Sequence, residues 1–380
     1  MSTVRLSRAL IDDGGHREVD VRPTTARRPS RVGLRGTNSR RATWIVEGDL
    51  VQRTPESFVD AYLAEVEATA PGAAMDVSRL VLEPCGLDAA GMIAAISDPR
   101  LDRLGIAMLA DFMAPEGSIY FDAIFGAYRG QAAIRAWLVP AMAEIDFIDF
   151  VPMAESVVFD DGEGESTLDE WQMVANMGDE QIPLSRGVSV RRHSAGWITW
   201  ACDVYDTAAF RQPPPPEMEI ETAPLPDCPQ VDWRVHEGAT ALQLSTRAND
   251  WAAGIGAPVE GSVADRPSGL DHDEMLAVLT NSATAVDLDR MATLFHPTKS
   301  KYLDPLIGEV SGQASIRATL SGALPRLGGA GVEPVGPLLF DGTTAVQEWI
   351  QGTLRGASVR RFADGWMTYA ADYFDTAALI

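Results

Sequence analysis

The sequence predicts an α+β protein in which one domain occurs twice, and three observations carry that expectation. Segment 121–138, FDAIFGAYRGQAAIRAWL, recurs at 303–320 as LDPLIGEVSGQASIRATL, and segment 188–210, VSVRRHSAGWITWACDVYDTAAF, recurs at 357–379 as ASVRRFADGWMTYAADYFDTAAL, both without a gap. Each copy places helical patterns first and turn-punctuated strand patterns afterwards, the order expected of helices packed on one face of an antiparallel meander. A chain of 380 residues that is 46% hydrophobic is long and apolar enough for roughly two to three domains, each with a core.

Residues 1–50 read as a disordered Arg-rich tail. Ten Arg against four acids fall within the first 43 positions, and Pro, Gly, Ser and Thr crowd out the apolar residues that would offset ordering entropy. Residues 51–87 form a helical extension: Thr54 before Pro55 is a start signal, and Phe58, Tyr62, Leu63 and Val66 recur at helical spacing. The first domain spans 88–211, with helices near 88–97, 99–112 and 130–143, a short strand before Asp122, and strands to about 206. Residues 212–269 are a Pro-rich acidic linker; PPPP at 213–216 is a stiff spacer, whereas Trp233, Leu242, Leu244 and Trp251 imply that its later part docks. In the second domain, 270–380, Asp271 and Asp287 cap helices, a short strand ends at Asp304, and QASIRATLSGAL follows the Gly308/Gly312 loop as a helix. Strands near 332–340, 344–352, 356–363 and 366–374 then turn at Asp341-Gly342 and Asp364-Gly365. Such a curved sheet encloses an apolar pocket against its helices, a natural small-molecule site.

Several function classes are excluded. A net charge of −23 repels phosphate backbones and anionic lipid, so no nucleic-acid or membrane partner is expected. Cys85, Cys202 and Cys228 are too few and too scattered for a disulfide framework or a thiolate metal cage, which suggests a reducing, cytoplasmic setting. No apolar run approaches a membrane span, and the N-terminus lacks the apolar stretch of a signal peptide. The five His show no metal-ligand spacing, His272 in DHDE being read as a capped helix start, so no metal is expected. Phosphate-loop, dinucleotide and serine-hydrolase motifs are absent, and the expectation is a chain without cofactors.

Helix, helix, strand ending in Asp, Gly-rich loop, GQxxIR helix, then a meander closing on GW…DYFD resembles the nuclear transport factor 2-like superfamily. Within it, the chain looks like the SnoaL-like polyketide cyclases, ketosteroid isomerases and limonene epoxide hydrolases, over residues 88–211 and 270–380. The resemblance implies tandem cone-shaped, cystatin-like α+β barrels, each a curved antiparallel sheet wrapped on helices. Because such domains dimerise through their sheet faces, it also implies packing of the two copies as an intramolecular pseudo-dimer, with a homo-oligomer as a further option.

Asp122 in YFDAIFG and Asp304 in YLDPLIG stand where the resembling isomerases place a general base. At the rim of an apolar cavity such a carboxylate is partly desolvated and suited to moving protons from carbon; a turn-forming cap is the alternative role. The isomerases' Tyr and protonated Asp, which stabilise the enolate, have no counterparts here. Asp203 and Asp372 keep one acid of the epoxide hydrolases' Asp-Arg-Asp set, but Trp171-Gln172-Met173 and Trp349-Ile350-Gln351 stand where its other members would be; a buried acid bonded to backbone or Trp N–H groups is the alternative. Asp206 and Asp375 read as caps of a short terminal helix. Tyr120, Trp171, Met173, Tyr205, Tyr302, Trp349, Gln351 and Phe374 are the candidate substrate-contacting residues, on strand positions whose alternation could face inward. The expected function is a cofactor-free cyclase or isomerase (lyase chemistry included) acting on an apolar, ring-containing substrate. A non-catalytic ligand-binding or scaffolding protein and an epoxide hydrolase-like enzyme are the alternatives.

Overall fold

The computed structural model describes residues 53–68, 73–102, 104–144, 148–160, 164–177, 180–208, 245–254, 263–280, 288–323 and 333–379. The Arg-rich tail, PPPP, Trp233, Leu242, Leu244 and the cap expected at Asp287 lie outside these residues. Helix α1 (Pro55–Ala68) starts at Thr54, whose Oγ1 accepts from Ser57 N at 3.2 Å, and buries Val59 and Tyr62. α2 (Ala89–Ile96) is capped by Asp88, which accepts from Gly91 N at 2.7 Å. α3 (Leu104–Phe112) begins five residues later than its sequence pattern predicts. Asp98 folds back onto Arg100 N, and Asp102 has φ +47°, a left-handed conformation that cannot continue a helix. β1 (Ile119–Asp122), β2 (Gly126–Arg129) and α4 (Gln131–Glu144) follow, then β3 (Ile148–Pro152), β4 (Val157–Asp160), β5 (Glu165–Met177), β6 (Glu180–Ser194) and β7 (Trp197–Tyr205).

In the second half, α5 (Thr246–Ala252) precedes α6 (His272–Thr280), whose DHDE start is a reciprocal cap: Glu274 N donates to Asp271 Oδ1 at 2.9 Å and Asp271 N to Glu274 Oε2 at 3.1 Å. Then come α7 (Leu288–Ala292), β8 (Lys301–Asp304), β9 (Gly308–Ser311), α8 (Gln313–Ala323), β10 (Glu333–Phe340), β11 (Thr344–Gln351), β12 (Leu354–Ala363) and β13 (Trp366–Phe374). The last hairpin turns on Asp364 and Gly365 at φ +53° and +76°, the left-handed pair that matches strand twist.

The strand orders are β2-β1-β7-β6-β5-β3, with β4 also on β5, and β9-β8-β13-β12-β11-β10. The sheets are mixed, which corrects the antiparallel expectation. β1 runs parallel to β7, and β8 to β13, because each short strand arrives from the helices alongside the last strand instead of across a hairpin. The GQ of the repeated GQxxIR motif ties this arrangement together. Gln131 Nε2 donates to Met113 O (2.8 Å) while its Oε1 accepts from Val81 N (2.7 Å); Gln313 repeats this with Phe295 O (2.6 Å) and Ala264 N (2.6 Å). Trp251 and Ala248 join the second core. Residues 245–254 and 263–269 therefore serve the second copy as 73–87 serve the first, and the described end of the expected linker is part of that copy's packing.

Alternation splits each sheet into two faces. Tyr120, Ile198 and Ala201 turn toward the helices, whereas Ile119, Phe121, Val188, Val190, Trp200, Cys202 and Val204 join Leu303, Leu339, Val346, Ala357, Val359, Ala371 and Tyr373 in one cluster shared by both sheets. Inside it lie two buried acids. Glu348 meets Arg192 (2.5 Å) and Arg355 (2.6 Å); Glu170 meets Arg361, Tyr369 (2.7 Å) and Tyr373 (2.5 Å). Each "VRR" pair thus sends Arg192 or Arg361 across to the other copy and Arg191 or Arg360 inward. Asp206 and Asp375 cap their own final turns and also exchange: Asp206 accepts from Thr376 N (3.1 Å) and Asp375 from Thr207 N (3.0 Å).

Two glycines let indole rings lie on the sheet. A Cβ at Gly187 would enter the Trp171 ring, and one at Gly356 the Trp349 ring. Gly356→Ala is therefore expected to lower stability by about 1–3 kcal/mol through overpacking, measured by chemical denaturation against a Gly322→Ala control on exposed α8, where a Cβ has open space and no positive φ.

Candidate active site

Asp122 and Asp304 close their short strands, 8% and 3% exposed. The turn that follows each strand aims backbone amides at the carboxylate. Ile124 N and Phe125 N donate to Asp122 Oδ1 at 2.8 and 3.1 Å, and Leu306 N to Asp304 Oδ1 at 2.8 Å. Both expected roles, turn former and desolvated acid, therefore fall on the same side chain. Burial, then the charge of Asp203, pushes the Asp122 carboxyl up to about 7. Burial, then the charge of Asp372, pushes Asp304 up to about 6.

Asp203 and Asp372 sit on the last long strands beside them. Asp203 accepts from Tyr120 Oη and, at 2.6 Å, from Ser189 Oγ, which itself accepts from Trp171 Nε1 at 2.9 Å. Asp372 accepts from Tyr302 Oη (2.8 Å), from Ser358 Oγ (2.6 Å) backed by Trp349 Nε1 (2.9 Å), and from Arg360 Nη2 (2.7 Å). The indole reaches each acid through a serine, which corrects the direct Trp N–H contact considered from sequence. Sequence reading missed Ser189 and Ser358; the repeated S-V-R-R was their only signal. Tyr205 adds a phenol to Asp122 at 3.1 Å. Phe374 stands at its twin position and cannot, so Tyr302, 3.4 Å from Asp304, is the phenol shared by both acids of the second copy.

Trp171, Met173 and Tyr205 pack with Ile148, and Trp349 and Phe374 with Leu354, the indoles lying flat on glycine. Two cavities open where the copies meet, and neither is walled by a helix. One, of about 260 Å³, is walled by Asp304, Asp372 and Phe374 together with Leu184, Ser185 and Arg186 of the first copy. The other, of about 240 Å³, is walled by Asp122 and Phe125 together with Thr353, Leu354 and Arg355 of the second. Of the eight candidate substrate-contacting residues, Phe374 lines a cavity; Tyr120, Trp171, Met173, Tyr205, Tyr302, Trp349 and Gln351 line neither.

Raised carboxyl pKa values have a stability signature. A carboxyl that holds its proton more tightly folded than unfolded favours the fold below about pH 4 and loses that contribution as pH rises through its folded value. Asp122→Asn keeps an oxygen for the Ile124 and Phe125 amides and has no charge to bury. The variant is expected to gain on the order of 4 kcal/mol over wild type at pH 8 and almost nothing at pH 4, measured by denaturation at both values.

Among the described residues no three His, Cys, Asp or Glu side chains cluster as a metal site, and no helix is long and apolar enough to cross a membrane. His193 is buried, its ring 3.1 Å from Thr167 Oγ1, and burial beside Arg191 lowers its pKa to about 3. No known protein family matches the chain as a sequence, and no curated protein does. Parts of the chain are similar to solved structures. They include a candidate isomerase of the SnoaL-like family from Agrobacterium tumefaciens (18% identity, 27% of this chain and 94% of that one, TM-score 0.23). A second is an NTF2-like protein with a cystatin-like fold from Novosphingobium aromaticivorans (15%, 30% and 75%, 0.24). A third is a candidate polyketide cyclase from Sinorhizobium meliloti (17%, 30% and 91%, 0.22).

Proposed function

We propose that the chain is an isomerase or cyclase that moves a proton between carbon atoms of a small ring-containing carbonyl compound, with Asp304 as the base. The observation that carries this reading is a carboxyl 3% exposed, held near pH 6, beside a second acid in the wall of one cavity. A base with a pKa near the working pH is deprotonated yet strong enough to take a C–H proton next to a carbonyl. Asp304 takes that proton and the electron pair passes to the carbonyl oxygen as an enolate. The protonated Asp304 exchanges with solvent and gives a proton to a different carbon, which isomerises the substrate, or back to the original carbon, which exchanges its hydrogen. Alternatively the enolate carbon attacks a second carbonyl of the same molecule, closing a ring while the new alkoxide takes the proton. Asp372, fixed by Tyr302, Ser358 and Arg360, positions Tyr302 and keeps negative charge beside Asp304.

A volume of about 260 Å³ lies just below the usual range of about 300–1,000 Å³ and favours one- or two-ring substrates over a four-ring skeleton. Incubation of 2-tetralone and related cyclic ketones in D2O tests the reading. Enzyme-dependent deuterium uptake at the carbon next to the carbonyl, followed by proton NMR, is expected. The backbone amides already bonded to Asp122 and Asp304 support a second reading, a non-catalytic binder, for which ligands saturate the chain without any uptake.

A further inference from the structure

The two cavities occupy equivalent places, yet their arginines do different things. Arg355 is 2% exposed at the wall of the Asp122 cavity. Its Nη2 meets Glu348 at 2.6 Å, and its guanidinium lies over Phe121 and Trp200 at 4.8 and 4.9 Å. Arg186, its twin in the first copy, is 37% exposed in the wall of the Asp304 cavity. Its Nη1 lies 3.2 Å from Glu309 and its Nε 3.3 Å from Gln172; among the described residues Nη2 makes no hydrogen bond.

Sequence divergence between the copies explains the difference. By analogy with Glu348 and Arg355, Arg186 would turn inward to Glu170. That carboxylate is already taken by the hydroxyls of Tyr369 and Tyr373 as well as Arg361. The twin of Tyr369, Trp200, likewise donates its Nε1 to Glu348 at 3.3 Å, but the twin of Tyr373 is Val204, which has nothing to donate. The Tyr373 phenol thus releases Arg186 from the sheet interface to the cavity rim. Glu309 does not neutralise it alone, because that acid also serves Lys301 Nζ at 3.0 Å. The Asp304 cavity therefore combines a buried acid with a half-exposed guanidinium, whereas in the Asp122 cavity the corresponding guanidinium is 2% exposed, paired with Glu348 and covered by Phe121 and Trp200.

We propose that the Asp304 cavity is the working centre of the chain and that Arg186, supplied by the first copy, is a catalytic residue that holds the substrate oxygen as it becomes an enolate. This rests on the proton-transfer reading of Asp304 and supplies the donor that a lone acid lacks. A positively charged donor aimed at a developing oxyanion acts mainly in the transition state. The first copy then serves as a wall of the second copy's site, and the site is incomplete without it.

Arg186→Gln in the full chain tests the proposal, with two readouts. In the deuterium-uptake assay, kcat is expected to fall by about 10²–10³-fold with KM nearly unchanged. In titrations of 4-nitrophenolate, a one-ring mimic of an enolate, affinity is expected to fall by about tenfold, while that of neutral 4-nitroanisole stays within about twofold. Arg186→Lys should recover part of both. Glutamine at this half-exposed position leaves the fold intact, and Tyr373→Phe provides a second route. Loss of that hydroxyl lets Glu170 recapture Arg186, so the same weakening of 4-nitrophenolate should appear with Arg186 still present. Unchanged phenolate binding in Arg186→Gln, or no phenolate binding by wild type, overturns the proposal. If Asp304→Asn abolishes uptake while Arg186→Gln leaves it intact, the proton-transfer reading stands and the role of Arg186 falls. If wild type shows no uptake but binds the phenolate through Arg186, the proton-transfer reading falls and Arg186 is left as an anion-binding residue without a catalytic role.

Discussion

Asp304→Asn is expected to cut turnover in the deuterium-uptake assay by about 10²–10⁴-fold, the contribution typical of a positioned general base. The substitution is nearly isosteric, and its Oδ1 can still accept from Leu306 N, which lies 2.8 Å from the native oxygen. The fold should therefore persist, and with one buried charge fewer the variant should be no less stable than wild type at pH 8. Loss of turnover together with an unchanged or raised melting temperature separates a chemical role from a structural one. Retention of full turnover would leave Asp304 as a turn former only. Because Asp372 shares Tyr302 with Asp304, Asp372→Asn should also slow the reaction, and the two effects should not add.

The largest stability effect is expected at the other end of the first copy. Arg135, the Arg of GQxxIR, has a fully buried side chain. Its Nη1 donates to Asp111 Oδ1 at 2.5 Å and to Ala107 O at 3.1 Å, its Nε to Asp76 O at 2.7 Å, and its Nη2 to Ala74 O. One guanidinium thus ties α3 to the segment entering the domain. Its removal takes from the Asp111 carboxylate, 5% exposed and pushed up to about 6 by burial, the closer of its two guanidinium partners, leaving Arg79 Nε at 3.2 Å, and it strands three carbonyls. Arg135→Ala is expected to cost about 3–5 kcal/mol, read from urea unfolding.

Local chemistry made much of this fold legible. Asp271 announced a helix start by cap preference, Asp364-Gly365 a hairpin, and the recurrence of GQxxIR a helix common to both copies. Asp122 and Asp304 were legible as candidates because a short apolar strand ending in an acid places that acid where the chain turns.

What the sequence hid depends on register between distant strands. Ser189 and Ser358 matter because β6 and β12 bring them opposite Asp203 and Asp372, a pairing that nothing local encodes. Helix α3 was overextended because the left-handed turn at Asp102 has no distinctive neighbour. The seating of the Trp171 and Trp349 indoles on Gly187 and Gly356 depends on the same cross-strand register. The exchange between Asp206 and Asp375, and the release of Arg186, follow from which sheet face meets which, a property of two copies that neither copy's pattern contains.

The most direct test follows the Asp304 carboxyl itself. Carbon-13 NMR of aspartate carboxyls in the full chain, with the resonance assigned by its disappearance in Asp304→Asn, reports its titration. A midpoint near pH 6 is expected for a carboxyl buried beside Asp372. A midpoint near 4, the value of a freely solvated aspartate, would contradict the account, since such a carboxylate is neither dry enough nor basic enough to take a proton from carbon.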